Sequence, residues 1–523
     1  MGAWGQYWWN ILMIWSCPEM LPALACFFLL NVLVRNRKSH AVIDWPLVGM
    51  LPSLLLNVHR LHDWTTEVMA ASGMTLTFRS PWFARMETTL TCDPANVNHV
   101  MSTNFANFPK GPDFFQMFDI LGDGIFNSDS DSWSLQRKMA NAHLKCARFR
   151  SFMSAALKDK VENALLPILR HLESRGQHVD MQDVFQRFTF DSTCSLVLGD
   201  DPGCLSLDFP DVPIVKAMDD AAEAVLLRHV VPFAWWKLQR WLDVGPERKL
   251  REAWEIIDDF MYKNIWTRRQ EGISKDSGDL LASYIEEAQG SSNDISDKFL
   301  RDTALNFLFA GKDTGAAAIT WFLWTISEHP RAENMILEEL RSIIAARKGG
   351  KDDRKANKPT TTVVFEAEEL NGLVYLHAAL CETLRLYPPV PFEHKGVFQL
   401  DILPSGAAVG ADTKIMFPLY SMGRMEAIWG ADCLEFKPER WITERGTLKF
   451  QPSYKFMAFN TGPRTCLGKE VAFAQIKVVA AAVLYNFHVH VLDGHPVSPK
   501  MSVVLHMKNG LMAKIAKRSH VEA

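Results

Sequence analysis

The chemistry legible in this chain gathers around one cysteine. Cys466 stands in Phe459-Asn-Thr-Gly462-Pro463-Arg464-Thr-Cys466-Leu-Gly468, framed by an aromatic ring, two glycines and an arginine. Glycines let a backbone curl close to a sulfur, so that N–H groups can point at its charge. Arg464 adds a positive charge beside it, and the run after Gly468 reads as a helix whose N-terminus offers a partial one. All three favour thiolate over thiol. A structural zinc needs three further ligands, and no Cys-x-x-Cys occurs anywhere in the chain. A single thiolate in such a loop suits haem iron, where sulfur pushes electron density toward O–O cleavage.

A second constellation is Ala310-Gly311-Lys312-Asp313-Thr314, near the middle of a helical pattern running from Asp297 to His329. Glycine inside a helix costs about 1 kcal/mol relative to alanine. Thr314 can bond back to the carbonyl of Ala310 and help open the helix locally. A hydroxyl beside a carboxylate can deliver protons to a reacting oxygen. A third is Glu382-Thr-Leu-Arg385, an i,i+3 pair that on a surface would contribute only ~0.2–0.5 kcal/mol. It is followed by Tyr387-Pro388-Pro389-Val-Pro391, a helix stop.

Phe459 to Gly468 resembles the cysteine-ligand loop of the cytochrome P450 family, the haem-thiolate monooxygenases. The pattern Phe-x-x-Gly-x-Arg-x-Cys-x-Gly would arise by chance in on the order of one chain in ten thousand of this length. The resemblance implies haem b with Cys466 as axial ligand of its iron, and Asp313 and Thr314 as the proton-relaying pair. Trp133-Ser-Leu-Gln-Arg137 is similar to the family's Trp-x-x-x-Arg helix, which implies that Trp133 and Arg137 bond the haem propionates. Arg464 and His394 are further expected cofactor partners. Glu382 and Arg385, joined by Arg440 of Phe436-Lys-Pro438-Glu-Arg440-Trp441, are expected to hold the cysteine loop without taking part in chemistry. Gly315 departs from the Thr or Ser common in related sequences, and is expected to widen the pocket. The implied fold is mainly α with a minor β region, a single large haem domain over residues 39–523. No flavin or nicotinamide domain follows, so electrons from NADPH are expected through a separate NADPH–cytochrome P450 reductase.

The elements that must position these residues are mostly helical. Apolar residues recur at helical spacing in Lys145–Leu172, Leu250–Arg269, Asp297–His329 and Asn371–Leu386, while Thr75–Arg79, Thr413–Met416, Phe487–Val491 and Ser502–His506 read as strands. A hydrophobic content of 48% over 523 residues can bury a large core. Net charge of −4 gives no reason to expect nucleic acid as a partner. Nine scattered cysteines, an odd number, suit a reducing compartment. Residues 1–38 are expected to form a membrane anchor: Trp8 to Val34 is nearly all apolar, interrupted by Pro18-Glu19 and Pro22, and ends at Arg35-Asn-Arg37-Lys38. That basic flank would keep the following domain cytosolic, which with the family resemblance implies the endoplasmic reticulum membrane and contact with its lipid.

For the substrate, Asp119–Phe126, Phe185–Asp191, His377–Glu382 and Tyr420–Met425 resemble a plant membrane-bound subgroup that hydroxylates fatty acids and alkanes, its midchain alkane hydroxylases above all. Phe114-Phe115-Gln-Met117-Phe118, expected to cover the pocket, suits a hydrophobic small molecule. The expected reaction is hydroxylation of a long-chain fatty acid or alkane. The alternative is hydroxylation or phenol coupling of a plant specialised metabolite such as an alkaloid. Dioxygen-independent rearrangement, or a haem carrier, would not call for the intact Asp313-Thr314 pair.

Overall fold

The computed structural model describes residues 42–81, 87–272, 277–290, 295–349 and 362–519, together with positions 26, 27 and 30. The expected anchor therefore lies almost wholly outside the described residues, and among these no helix is long and apolar enough to cross a membrane. Eight helices frame the site: α1 (Ser130–Lys145), α2 (Met181–Leu198), α3 (Pro213–Val230), α4 (Phe233–Leu242), α5 (Gly245–Glu271), α6 (Asp297–Ser327), α7 (Val374–Leu386) and α8 (Lys469–Asn486).

The core lies where α2, α6, α7 and α8 meet. These helices are apolar on nearly every face, as helices enclosed by others must be, and Trp321, Phe322, Phe185 and Phe188 are buried among them. Ser296 starts α6 by accepting the Phe299 N–H, and Asp180 starts α2 by accepting that of Gln182. Two glycines one turn apart set the spacing. A Cβ on Gly311 would stand 2.7 Å from the Thr193 side chain, and one on Gly315 would stand 2.9 Å from Gln475 Oε1 and 3.2 Å from Thr189 Cγ2. Thr189 of α2 donates to the Lys312 carbonyl at 2.6 Å across the same contact. Gly315 thus serves close helix packing and faces away from any pocket it was expected to widen. Nor does α6 open at Gly311: it is α-helical from Asp297 to Ser327, with Thr314 Oγ1 donating to the Ala310 carbonyl at 2.5 Å.

Strands β1 (Thr75–Phe78), β2 (Thr88–Thr91), β3 (His178–Asp180), β4 (Phe392–Gly396), β5 (Lys414–Pro418), β6 (Phe487–Val491) and β7 (Met512–Lys517) build two small sheets. The first has order β1-β2-β5-β4, with β2 and β5 parallel (Thr88 opposite Lys414) and β4 antiparallel to β5 (His394 opposite Met416). The second has order β3-β7-β6. Ser502–His506, expected as a strand, pairs with no other strand. Its backbone is drawn elsewhere: Leu505 N–H donates to the Pro389 carbonyl, and Trp321 Nε1 donates to the Leu505 carbonyl. The stretch Lys145–Leu172 is also broken, by extended backbone at Cys146 and a π-turn at Val161–Leu165.

Candidate active site

The loop from Phe459 to Gly468 is held at both ends before it presents anything. Cys466 N–H donates to the Phe459 carbonyl at 2.8 Å, and Thr465 donates to the Gly462 carbonyl through both N–H and hydroxyl. Gly462 has φ of +66°, and a Cβ there would lie 1.8 Å from the Met101 carbonyl oxygen, so only glycine fits. Its role is this approach to a distant chain segment rather than closeness to the sulfur. Asn460 supplies the other left-handed residue, with φ of 59°.

Cys466 is exposed in spite of these constraints. Crowding by protein pushes its thiol up from the ordinary value; the Gly468 N–H and the charges of Arg137 and Lys469 pull it the other way. The expected stabilisation is therefore present in kind, but the arginine differs and desolvation outweighs it. Arg464 is committed elsewhere, its Nη2 donating to the Ser128 carbonyl at 2.7 Å and pairing with Asp129 at 2.6 Å. Arg137 of α1 takes the place beside the sulfur, donating to the Thr465 carbonyl at 2.7 Å. A metal cation opposite the sulfur would supply the charge that makes it a thiolate.

Near this loop lies a cluster of buried cations. Arg464 stacks over Trp133 at 4.7 Å, and Arg137 approaches the same ring at 5.8 Å. Among the described residues Arg464 Nε is buried with no hydrogen-bond partner, and so is Nζ of Lys395, whose side chain is 0% exposed and comes no closer than 3.8 Å to the Glu393 carboxylate. Burial and the neighbouring Lys110 hold the Lys395 amine well below its usual range. Unpartnered buried donors of one sign call for an anion. A porphyrin carrying two carboxylates beside a thiolate-ligated iron matches that donor set: Cys466 on the metal, with Arg464, Lys395, Trp133 and Arg137 around the carboxylates.

His394 does not join this cluster. Side chains alternate along β4, so Glu393 and Lys395 face Lys110, with Glu393 accepting from Lys110 at 2.6 Å. His394 turns to the other side, where its Nε2 lies 3.3 Å from His229 Nε2 and its ring packs 4.9 Å from Phe114. His229 uses its Nδ1 on the Val225 carbonyl, so it bonds there as a donor and offers Nε2 as acceptor. Desolvation lowers both imidazoles, His229 to about 4 and His394 well below its ordinary value. Phe114 and Phe118 stack at 4.4 Å beside the pair, with Met117 buried in the same short helix.

Glu382, Arg385 and Arg440 come together as a buried network beneath the loop. Arg385 donates to Glu382 through Nε at 2.8 Å and Nη2 at 2.7 Å, and both side chains are 0% exposed. Arg440 Nε reaches the same carboxylate at 3.3 Å. Trp441, which the sequence reading did not single out, donates to it from Nε1 at 2.8 Å. Trp441 then packs on Phe456 at 4.6 Å, a few residues before the cysteine loop. The remaining guanidinium donors of Arg385 go to the Gly423, Cys433 and Glu435 carbonyls, so no charge is left unmatched.

On α6, Asp313 is buried and held by Lys312 Nζ at 2.8 Å, with His506 Nε2 at 3.7 Å. Burial raises the Asp313 carboxyl; Lys312 and His506 more than offset that and leave it below its ordinary value. Thr314 follows it, half-buried.

A family model described as Cytochrome P450 matches residues 42–514. Similar proteins include noroxomaritidine synthase of Narcissus aff. pseudonarcissus MK-2014, 44% identical over 96% of this chain and 97% of that one. Cytochrome P450 86B1 of Arabidopsis thaliana is 42% identical, covering 96% and 90%. Alkane hydroxylase MAH1 of the same species is 39% identical, covering 95% and 97%.

Proposed function

Because this chain belongs to the cytochrome P450 family and is thus a haem monooxygenase that draws electrons from a reductase, we propose that it hydroxylates a long-chain fatty acid or alkane. The haem, as haem b with NADPH as the electron source, would supply the activation of dioxygen. Cys466 would hold its iron, and Arg464, Lys395, Trp133 and Arg137 would fix its carboxylates. Asp313 and Thr314 would bring protons to the reacting oxygen, and α6 with α8 would keep bulk water away.

The observation that carries the substrate class is the apolar cluster of Phe114, Met117 and Phe118, with its two rings stacked at 4.4 Å. Identity to an alkane hydroxylase supports it. A second reading, oxidation of a phenolic specialised metabolite, is supported by 44% identity to noroxomaritidine synthase and by the two neutral histidines beside that cluster. Spectral titration of the purified protein with fatty acids, alkanes and aromatic alkaloids separates the two. A substrate-type shift with alkaloids alone would overturn the aliphatic reading. For the ligand, a ferrous–CO complex with the strongly red-shifted Soret band of a thiolate is expected; a histidine-like band would remove Cys466 from the site. Thr314→Ala should divert electrons into hydrogen peroxide, read as product formed per NADPH, and unchanged coupling would remove Thr314 from the relay.

We also propose that the protein sits at the endoplasmic reticulum membrane with this domain on the cytosolic side. Beyond residues 1–38, α4 supports lipid contact: Trp235, Trp241 and Leu242 are exposed while Lys237 and Arg240 flank them.

A further inference from the structure

Helix α3 meets the Phe114–Phe118 segment near its C-terminal end and, through Asp219 in its first half, Lys312, the neighbour of the proton-relaying pair. At its C-terminal end Arg228 is buried and donates to the Met117 carbonyl at 2.9 Å and to Asp119 at 2.9 Å, while two of its other nitrogens pair with Glu247 at 2.7 Å. The next residue, His229, meets Phe118 at 5.4 Å and His394 at 3.3 Å. Nine residues before Arg228, about 13 Å along a helix at ~1.5 Å per residue, Asp219 accepts from Lys312 Nζ at 2.5 Å. Lys312 is 1% exposed and Asp219 56%. Lys312 is therefore a buried ammonium shared between a carboxylate on α3 and Asp313. Burial disfavours its charge, and the two carboxylates more than offset that.

We propose that α3 couples substrate seating against Phe114–Phe118 to proton delivery by Asp313, through the Asp219–Lys312 ion pair. This rests on the reading of Asp313 and Thr314 as the relay. The physical basis is competition for one ammonium. With α3 seated, Asp219 draws part of the Lys312 charge, and Asp313 is correspondingly freer to take up a proton and pass it on. When a poorly fitting substrate displaces the 114–119 segment, the Arg228 clasp carries the shift along α3. Asp219 then withdraws, and Lys312 binds Asp313 alone, which makes it a poorer proton carrier. A helix is stiff enough to carry such a shift between its ends, and the coupling must act in both directions. Lys312 and Asp219 are positioning residues in this scheme.

Asp219→Asn is the direct test, since the side chain is half open to solvent. In the haem-loaded protein without substrate, hydrogen exchange should quicken both around residue 219 and in Gly111–Phe118. With palmitate as probe, product formed per NADPH should fall on the order of tenfold, while palmitate affinity moves by less than about twofold. Lys312→Arg should keep wild-type coupling because it preserves the shared cation; Lys312→Met should behave like Asp219→Asn, and the double variant should be no worse than either. Unchanged exchange in Gly111–Phe118 would overturn the proposal, as would normal coupling in Asp219→Asn alongside an uncoupled Thr314→Ala. If Thr314→Ala is itself fully coupled, the relay reading falls first.

Discussion

Lys395 and His394 are neighbours with opposite fates, and their difference is a matter of which way a strand turns. Lys395 makes no hydrogen bond among the described residues, with only Glu393 as a loose ion-pair partner at 3.8 Å, and lies in a cation cluster beside Arg464. Lys395→Met should therefore make the cofactor-free protein more stable and the haem-loaded one leakier. A lost charge-assisted hydrogen bond contributes about 1.5–3 kcal/mol, so haem transfer to apomyoglobin should speed up roughly 10- to 100-fold. His394→Phe should leave that rate unchanged and alter substrate-binding spectra instead. The sequence names Cys466 because its motif lies within ten residues, although Arg137 and Met101, which also fix the loop, come from far along the chain. It does not separate His394 from Lys395, because the choice depends on the pairing of β4 with β5 across some twenty residues. Trp441 escaped for a similar reason: an indole beside an arginine looks like core until Glu382 arrives from α7.

At the scale of elements, contacts between helices carry the tightest tolerances. Gly311→Ala should cost about 1–3 kcal/mol by overpacking against Thr193, read from urea unfolding. Gly315→Ala should cost a similar amount, because Gln475 is pinned through Nε2 to Ser192 at 2.7 Å and has little freedom to yield. Glu382→Gln leaves Arg385 and Arg440 without their counter-charge in the interior and should cost about 3–5 kcal/mol. Cys466 ligation should weaken with it, seen as conversion of the red-shifted CO band to a shorter-wavelength form. Periodicity reveals α5, α6 and α7 because their apolar faces are long and regular. It misplaces Ser502–His506, whose Leu505 is bonded to Pro389 and Trp321 rather than to a strand.

For the molecule as a whole, buried neutral histidines set the acid limit. His62, His229 and His377 are each lowered from 6.5 to about 4 by desolvation. Above pH 6.5 folded and unfolded states bind the same number of protons at these rings. As pH falls from 6.5 toward 4 the unfolded chain takes up protons that the native one refuses, so stability is lost across that window and levels off below it. His62, which is buried, should account for about 3 kcal/mol of that loss. His62→Phe should flatten the curve of unfolding free energy between pH 7 and 4. Helical content, the minor sheets and the single family-wide match over residues 42–514 agree with the sequence reading. The anchor expected before residue 39 lies almost wholly outside the described residues, and its deletion, assayed by membrane flotation, is expected to leave only the weaker hold of Trp235, Trp241 and Leu242.

Three bonds, Arg137 to the Thr465 carbonyl and Arg464 to Asp129 and to the Ser128 carbonyl, together with the close seat of Gly462 on Met101, join segments more than 300 residues apart. They have a consequence in time. A ribosome adding roughly 5–20 residues per second finishes α1 early, and Arg137 and Trp133, proposed to hold the cofactor, then wait while about 300 further residues are made. Their counterparts emerge last. The proposed seat of the cofactor can close only once residues 462–466 have been made, so haem must be captured late, and nascent chains stalled before residue 462 should hold none.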